Sequence, residues 1–355
     1  DTLGYKRLVE ALKLKGATYR LFEKTGVGYL TSTFPATTAT AVTTISTGRT
    51  PLEHGIVGYK LYLREYGMIV NMIKLSPAFT KQSNVLLDFG FNPEESTGHH
   101  TIYKALTDVG VETYVLLGEY YANSGLSHIA NVGAQVEPYL TISDMFVRLR
   151  KILERDDDTR KYIYAYWEGL DAVSHKRTPN SEENMAEMEV IATTIKSVFI
   201  NKLGDEVAKK TLLIITGDHG QSYVRRENLV IANDEPELMD LLMVPPTGES
   251  RVSYLYAKDC NVDALEEFFN KKYPGRFLLL RSQDAIRMGL YGYGNPHPEV
   301  TYRIGHLIAL PRPGHGLIYR YEEREYTEDV RGGHGGLTPD EQLVAFTVAR
   351  VLDYR

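Results

Sequence analysis

Cysteine is nearly absent: Cys260 is the only one in 355 residues. That excludes an internal disulfide and a cysteine-based zinc site, so any metal must rest on His, Asp, Glu or hydroxyl oxygens. The same usage fits the cytoplasm. Long apolar runs are missing too. The densest stretches, such as Thr211 to Thr216, are strand-length, far short of the roughly 18–20 residues of a membrane-spanning helix. Charge of one sign is scarce: 40 Lys and Arg against 46 Asp and Glu leave a net charge of -6. Such a balance gives no general attraction to nucleic acid or an anionic membrane, so an anionic substrate must be captured locally. There is no internal repeat, low-complexity tract or interdomain linker, and the 30 Gly and 15 Pro show no period. Collagen-like and disordered classes drop out. The chain opens at Asp1 with neither Met nor a signal-like segment, so further residues are expected upstream.

What remains is an ordinary folded composition, 43% hydrophobic and 24% charged. Apolar runs bounded by turns alternate with helical periodicity, the pattern of a parallel sheet covered by helices. Strands are expected at Thr113 to Leu117, Tyr162 to Trp167, Leu212 to Thr216 and Arg251 to Ala257, with strand-like pieces at His306 to Pro311 and Leu317 to Tyr321. Helices are expected at Ser143 to Glu154, Glu182 to Lys202, Val262 to Tyr273 and Pro339 to Leu352, and short strands within Tyr59 to Met72. The acidic run Asp156 to Asp158 reads as a solvated loop. The expectation is an α/β protein with one catalytic domain over residues 1–355 and a smaller subdomain within 222–321.

Four segments concentrate chemistry. Asp171 and His175 follow a strand and stand four residues apart, which on a helix sets both on one face, as two ligands of one metal require. The plainer reading is a solvated helix face. Asp218 and His219 end the apolar run Leu212 to Thr216 between Gly217 and Gly220, where an open α/β sheet binds its ligands. A surface turn is the rival here, but so apolar a run belongs in a central strand. His334 lies among Gly332, Gly333, Gly335 and Gly336, presented by a bare loop, with Thr338 able to cap and Pro339 to start the next helix. A glycine-rich lid with an incidental histidine is the alternative. Finally, Thr37 to Gly48 is a threonine-rich helix start, where free N–H groups favour a phosphoryl group; an ordinary cap is the commoner use.

Together these residues have a chemical logic. Asp171, His175 and His334 can make one three-ligand site, while Asp218, His219 and a hydroxyl make much of another. Mixed His and carboxylate ligands suit Zn²⁺, with Mn²⁺ or Fe as alternatives. A pair of ions activates a nucleophile and clamps the leaving oxygen of a phosphoryl displacement, help that a threonine hydroxyl needs.

The order of these motifs resembles the alkaline phosphatase superfamily, and within it the type I phosphodiesterase and nucleotide pyrophosphatase branch, from Asp1 to His334. In that family the nucleophile stands ten residues before the Gly of a Thr-Gly pair. Counting back from Thr47-Gly48 gives Thr38. The same register sets Pro51-Leu52-Glu53-His54-Gly55-Ile56 on the family's Pro-x-x-His-Gly-Ile segment. Asp1-Thr2-Leu3-Gly4 is similar to the turn that carries the first metal ligand. The resemblance implies a three-layer α/β/α sandwich with a mostly parallel central sheet. It further implies two divalent ions, one held by Asp171, His175 and His334, the other by Asp1, Thr38, Asp218 and His219. In the implied mechanism Thr38 attacks phosphorus to give a phosphothreonine, which water activated at the first metal then hydrolyses.

One departure stands out. Nucleotide pyrophosphatases carry an Asn 21 residues after the nucleophile, against a phosphate oxygen; this chain has Tyr59, whose phenol can donate a hydrogen bond instead. The expected activity is hydrolysis of phosphodiester or pyrophosphate bonds in a small anionic, nucleotide-like phosphate ester, with neither membrane nor nucleic acid as partner. Alternatives are a phosphomonoesterase, a phosphonate hydrolase, a sulfatase, for which Cys260 lies nowhere near the motif, a mutase, or a non-catalytic metal-binding component of an assembly. The remaining histidines, His54, His99, His100, His128, His297, His306 and His315, read as ordinary surface or core residues.

Overall fold

The computed structural model describes residues 1–155, 158–322 and 331–355. Asp156 and Asp157 of the acidic run therefore lie outside the described residues. The strand Glu112–Gly118 shows how the sheet is buried. Tyr114 and Leu116 join a core with Met145, Phe146 and Phe199, while Val115 and Leu117 join Tyr103 on the opposite face. A strand apolar on both faces needs helices on both, which is the three-layer arrangement. The strand lies between Gln135–Tyr139 and Lys161–Ala165, parallel to each. Against it packs the helix Ile142–Leu153. Thr141 starts that helix by accepting the Asp144 N–H, and Met145, Phe146, Leu149 and Ile152 fall on the buried stripe.

A second three-stranded sheet has Leu343–Arg350 in its centre, antiparallel to both Gly28–Thr31 and Leu212–Thr216. This corrects two expectations. The helix expected from Pro339 to Leu352 is a single turn, Pro339–Gln342, followed by a strand. Thr338 and Pro339 do start a helix, but Val344, Thr347 and Val348 are β-branched, and their backbone is claimed by a strand on either side. The mostly parallel sheet is not found as such either. Among the described residues parallel pairing joins the strands around Glu112–Gly118 and the pair Ser222–Ile231 with Gly314–Ile318, whereas the returning strand Leu343–Arg350 makes its sheet antiparallel. Glu182–Thr194 is helical as expected and continues as a π-helix over Ile195–Ile200.

The third sheet has seven strands, all paired antiparallel, and mixes Lys60–Leu63, Met68–Asn71 and Ser76–Pro77 with four strands from 247–311. Its pairing of Gly248 with Lys60 brings the 247–249 strand against the chain that follows the Thr38–Thr47 helix. That helix is rich in hydroxyls yet buried. Thr43 and Thr47 donate back to the carbonyls of Ala39 and Thr43, each at 2.7 Å, so their hydroxyls need no water. Gly48 closes it in the left-handed region at φ 64°, and a Thr50–Glu53 capping box begins the next turn.

Candidate active site

Three segments end at one place. The strands Lys161–Ala165 and Leu212–Thr216 point their C-terminal ends toward residues 1–4: the Asp1 amino group donates to the Trp167 carbonyl at 2.9 Å, and the Thr2 N–H to Asp218 Oδ1 at 3.0 Å. From the other side come the N-terminus of the Thr38–Thr47 helix and the 332–336 loop. The turn after Leu212–Thr216 can approach the Pro339–Gln342 turn that follows this loop because of Gly220, where a Cβ would sit 2.1 Å from the Asp340 carbonyl oxygen. Gly332 likewise lies flat on the Gly169–Arg177 helix, since a Cβ there would meet the Ser174 oxygen at 2.5 Å. The glycines thus serve close packing as much as presentation of His334.

On the Gly169–Arg177 helix Asp171 and His175 do share a face, with Nε2 of His175 3.3 Å from Oδ2 of Asp171. His334 Nε2 lies 3.9 Å from Oδ1 of the same carboxylate. Around His219 the second group gathers: its Nε2 is 3.1 Å from the Thr38 hydroxyl, 3.4 Å from Asp1 Oδ1 and 3.6 Å from Asp218 Oδ2. The rings of His219 and His334 stack with centroids 4.0 Å apart, so the two groups adjoin. Ligand atoms of Asp171, His175 and His334 all lie within 4.8 Å of one another, and so do those of Asp1, Asp171 and His219. Asp218 stands beside the second triad rather than in it. Its Oδ1 accepts the N–H of Thr2 and of His219, and its Oδ2 the Tyr166 hydroxyl at 3.1 Å.

The imidazoles share one device. Nδ1 of His175 faces the Gly332 carbonyl at 2.9 Å, that of His219 the Gly220 carbonyl at 3.0 Å, and that of His334 the Ala36 carbonyl at 3.2 Å. A carbonyl can only accept, so each Nδ1 carries a proton, which makes Nε2 the ring nitrogen free to ligate a metal. Burial, followed by the neighbouring His219, holds His334 well below the usual histidine range, hence neutral. Burial works upward on Asp171, but His175, His334 and His219 outweigh it and keep the carboxylate below its ordinary value. Asp218 is likewise held down to about 2, against its burial, by His219, by the Asp1 amino group and by the N–H groups of Thr2 and His219. A neutral His334 beside an ionised Asp171 is the protonation state that divalent-cation binding needs, and this N and O donor set fits Zn²⁺, Mn²⁺ or Fe.

Tyr59 is tied to the 247–249 and 68–71 strands. Its N–H donates to Glu249 Oε1 at 3.0 Å and its hydroxyl accepts from Asn71 Nδ2 at 2.7 Å. Several participants carried no sequence signal. The Thr2 hydroxyl donates to Asp171 Oδ1 at 2.8 Å and touches Asp1 Oδ1 at 3.2 Å, from a backbone at φ 59° that a β-branched residue rarely adopts. Gln221 Nε2 donates to the same Asp171 oxygen at 2.7 Å. Only its place directly after Asp218-His219-Gly220 hinted at it. Farther out, Arg251 and Glu341, both without solvent contact, pair through 3.1 Å and 3.2 Å hydrogen bonds, and Glu341 also accepts the N–H of Gly336 and of Thr338. His54 lies in the core: buried, pushed down to about 3 by that burial, its Nδ1 accepting the Ile56 N–H. Trp167 also serves packing, donating to Glu187 at 2.8 Å.

The chain shares its fold with characterised hydrolases. Phosphonoacetate hydrolase from Sinorhizobium meliloti 1021, in complex with phosphonoformate, matches with a TM-score of 0.68 at 18% identity, over 98% of this chain and 87% of that one. Human ectonucleotide pyrophosphatase / phosphodiesterase 5 matches with a TM-score of 0.69 at 17% identity, over 98% and 85%. Its murine counterpart in complex with AMP gives 0.68 at 14%, again over 98% and 85%. Among curated proteins none matches in sequence. The fold is thus the alkaline phosphatase-like α/β fold. The family profile of type I phosphodiesterase / nucleotide pyrophosphatase spans residues 9–337, and the chain belongs to that family, making it a hydrolase of the phosphodiesterase type.

Proposed function

We propose that the protein hydrolyses phosphodiester or pyrophosphate bonds of nucleotide-like small molecules, with Thr38 as nucleophile and two divalent ions, Zn²⁺ foremost, as cofactors. The observation that carries this reading is the Thr38 hydroxyl at 3.1 Å from His219 Nε2, at the start of a helix and beside both ligand groups. Asp171, His175 and His334 would hold one ion, and Asp1, Thr38, His219 and Asp218 the other. When bound, such ions lower the pKa of a coordinated hydroxyl and neutralise phosphoryl charge.

The chain's own part is to bind and orient. The first-turn N–H groups of the Thr38–Thr47 helix face an arriving phosphoryl oxygen with the positive end of the helix dipole. Thr38 Oγ1 then gives up its proton to solvent and forms the bond to phosphorus as the bond to the leaving oxygen breaks, and that oxygen departs protonated by solvent. Water cleaves the resulting phosphothreonine and restores the hydroxyl. Because Asp218 accepts two backbone N–H groups as well as the Tyr166 hydroxyl, it also holds residues 1–2 and the 218–219 turn in mutual register.

Rates on bis(p-nitrophenyl) phosphate and p-nitrophenyl phosphate, with added Zn²⁺ or Mn²⁺ and after chelation, test the substrate class. The diester should turn over faster, and only with metal; faster monoester turnover would overturn the diester assignment. A phosphonate hydrolase is the second reading, favoured by the shared fold with phosphonoacetate hydrolase, while Tyr59 in place of the Asn of nucleotide pyrophosphatases weighs against a nucleotide substrate. Phosphate release from phosphonoacetate in the same assay would support it.

A further inference from the structure

Thr37 occupies the N-cap of the Thr38–Thr47 helix, with φ -144° and ψ 148°, yet no helix N–H donates to its side chain. The comparison within the chain is Thr141, an N-cap at φ -139° and ψ 163°, whose hydroxyl accepts the Asp144 N–H in the ordinary way. Residue type and backbone are matched, so the difference comes from outside the helix. The Thr37 hydroxyl donates to Glu249 Oε1 at 2.5 Å, and the same oxygen accepts the Tyr59 N–H at 3.0 Å. One carboxyl oxygen therefore ties the residue before Thr38 to the residue 21 positions after it.

We infer that Glu249 is a positioning residue. By drawing the Thr37 hydroxyl aside it leaves the first-turn N–H groups open to a phosphoryl oxygen, and by holding the Tyr59 N–H it fixes the neighbouring wall. This rests on the reading of Thr38 as nucleophile. Glu249 reaches its place through the strand Thr247–Glu249, whose Gly248 pairs with Lys60. Burial pushes its carboxyl up to about 8, against the pull of the Thr37 hydroxyl and Lys60, while Asp171 adds to the upward push. A largely neutral acid that accepts two hydrogen bonds is closely imitated by glutamine, whose carbonyl oxygen accepts in the same position.

The test compares metal-loaded variants on bis(p-nitrophenyl) phosphate, with inhibition by inorganic phosphate and the thermal midpoint measured alongside. Glu249→Gln should keep most of the turnover. Glu249→Ala should lower kcat about tenfold to a hundredfold and weaken phosphate inhibition, because the freed Thr37 hydroxyl turns back onto the helix N–H groups. Adding Thr37→Val to Glu249→Ala removes that hydroxyl and should restore turnover several-fold, a recovery that a merely structural role would not give. Should Glu249→Ala fail to fold, Glu249→Asp carries the test, since its shorter arm cannot reach both donors and should be slow. Wild-type rates in the Ala or Asp variant, a Gln variant as slow as Ala, or a double variant no faster than Glu249→Ala would each overturn the inference. An active Thr38→Ala would instead remove the nucleophile reading beneath it, and is distinguished by being independent of residue 249.

Discussion

Asp171 Oδ1 accepts the Thr2 hydroxyl and the Gln221 amide at once, which leaves Oδ2 turned to His175. Such outer partners orient a ligand and raise its affinity for metal. Gln221→Ala should therefore weaken Zn²⁺ binding about tenfold to a hundredfold in a chelator competition, with the fold intact. Unchanged affinity would mean that Asp171 is oriented by its helix alone. At this scale the sequence is informative where spacing is local and silent where it is not. Asp171 and His175 are legible because one helical turn separates them, and Asp218-His219 because they end an apolar strand. Thr2, Gln221 and Glu249 are not, since each acts on a partner brought near only by the tertiary fold.

Among elements, the 332–342 segment shows how an exposed-looking loop is fixed. Glu341 caps the Pro339–Gln342 turn, takes the Gly336 N–H and pairs with the buried Arg251. Glu341→Gln would leave that guanidinium charge uncompensated, costing about 3–5 kcal/mol of stability in denaturant unfolding. The segment before the 60–63 strand makes stability depend on pH. Burial takes His54 from 6.5 down to about 3, so between those values the unfolded chain binds a proton that the folded chain refuses. Stability should then fall as pH drops from 6.5 toward 3, at about 1.4 kcal/mol per pH unit for this one group, and His54→Asn should remove that slope. An unchanged slope would assign the acid sensitivity to other groups. Leu343–Arg350 departs from the expected helix for a reason of the same kind. The capping signal of Thr338 and Pro339 is real, but it ends after one turn, and pairing with strands at 28–31 and 212–216 decides the rest.

For the whole molecule, the site is where four distant parts of the chain converge: residues 1–2, Thr38 at the start of its helix, the 171–219 segment and the 332–334 loop. Divalent cations would find these carboxylates and imidazoles gathered only in the folded chain, so metal binding should favour the folded state. The thermal midpoint should rise with added Zn²⁺ and fall on chelation, and a midpoint indifferent to both would speak against the ligand sets. The α/β class and the order of motifs were legible because they depend on local pattern. The sheet directions were not, because the direction of pairing at 343–350 is settled by the returning chain rather than by its own residues. The central claim is that Thr38 is the nucleophile, and the most direct measurement is diester turnover by Zn²⁺-loaded Thr38→Ala alongside its metal content. The account predicts loss of turnover by at least about 10³-fold with metal largely retained; near-normal turnover in that variant would contradict it.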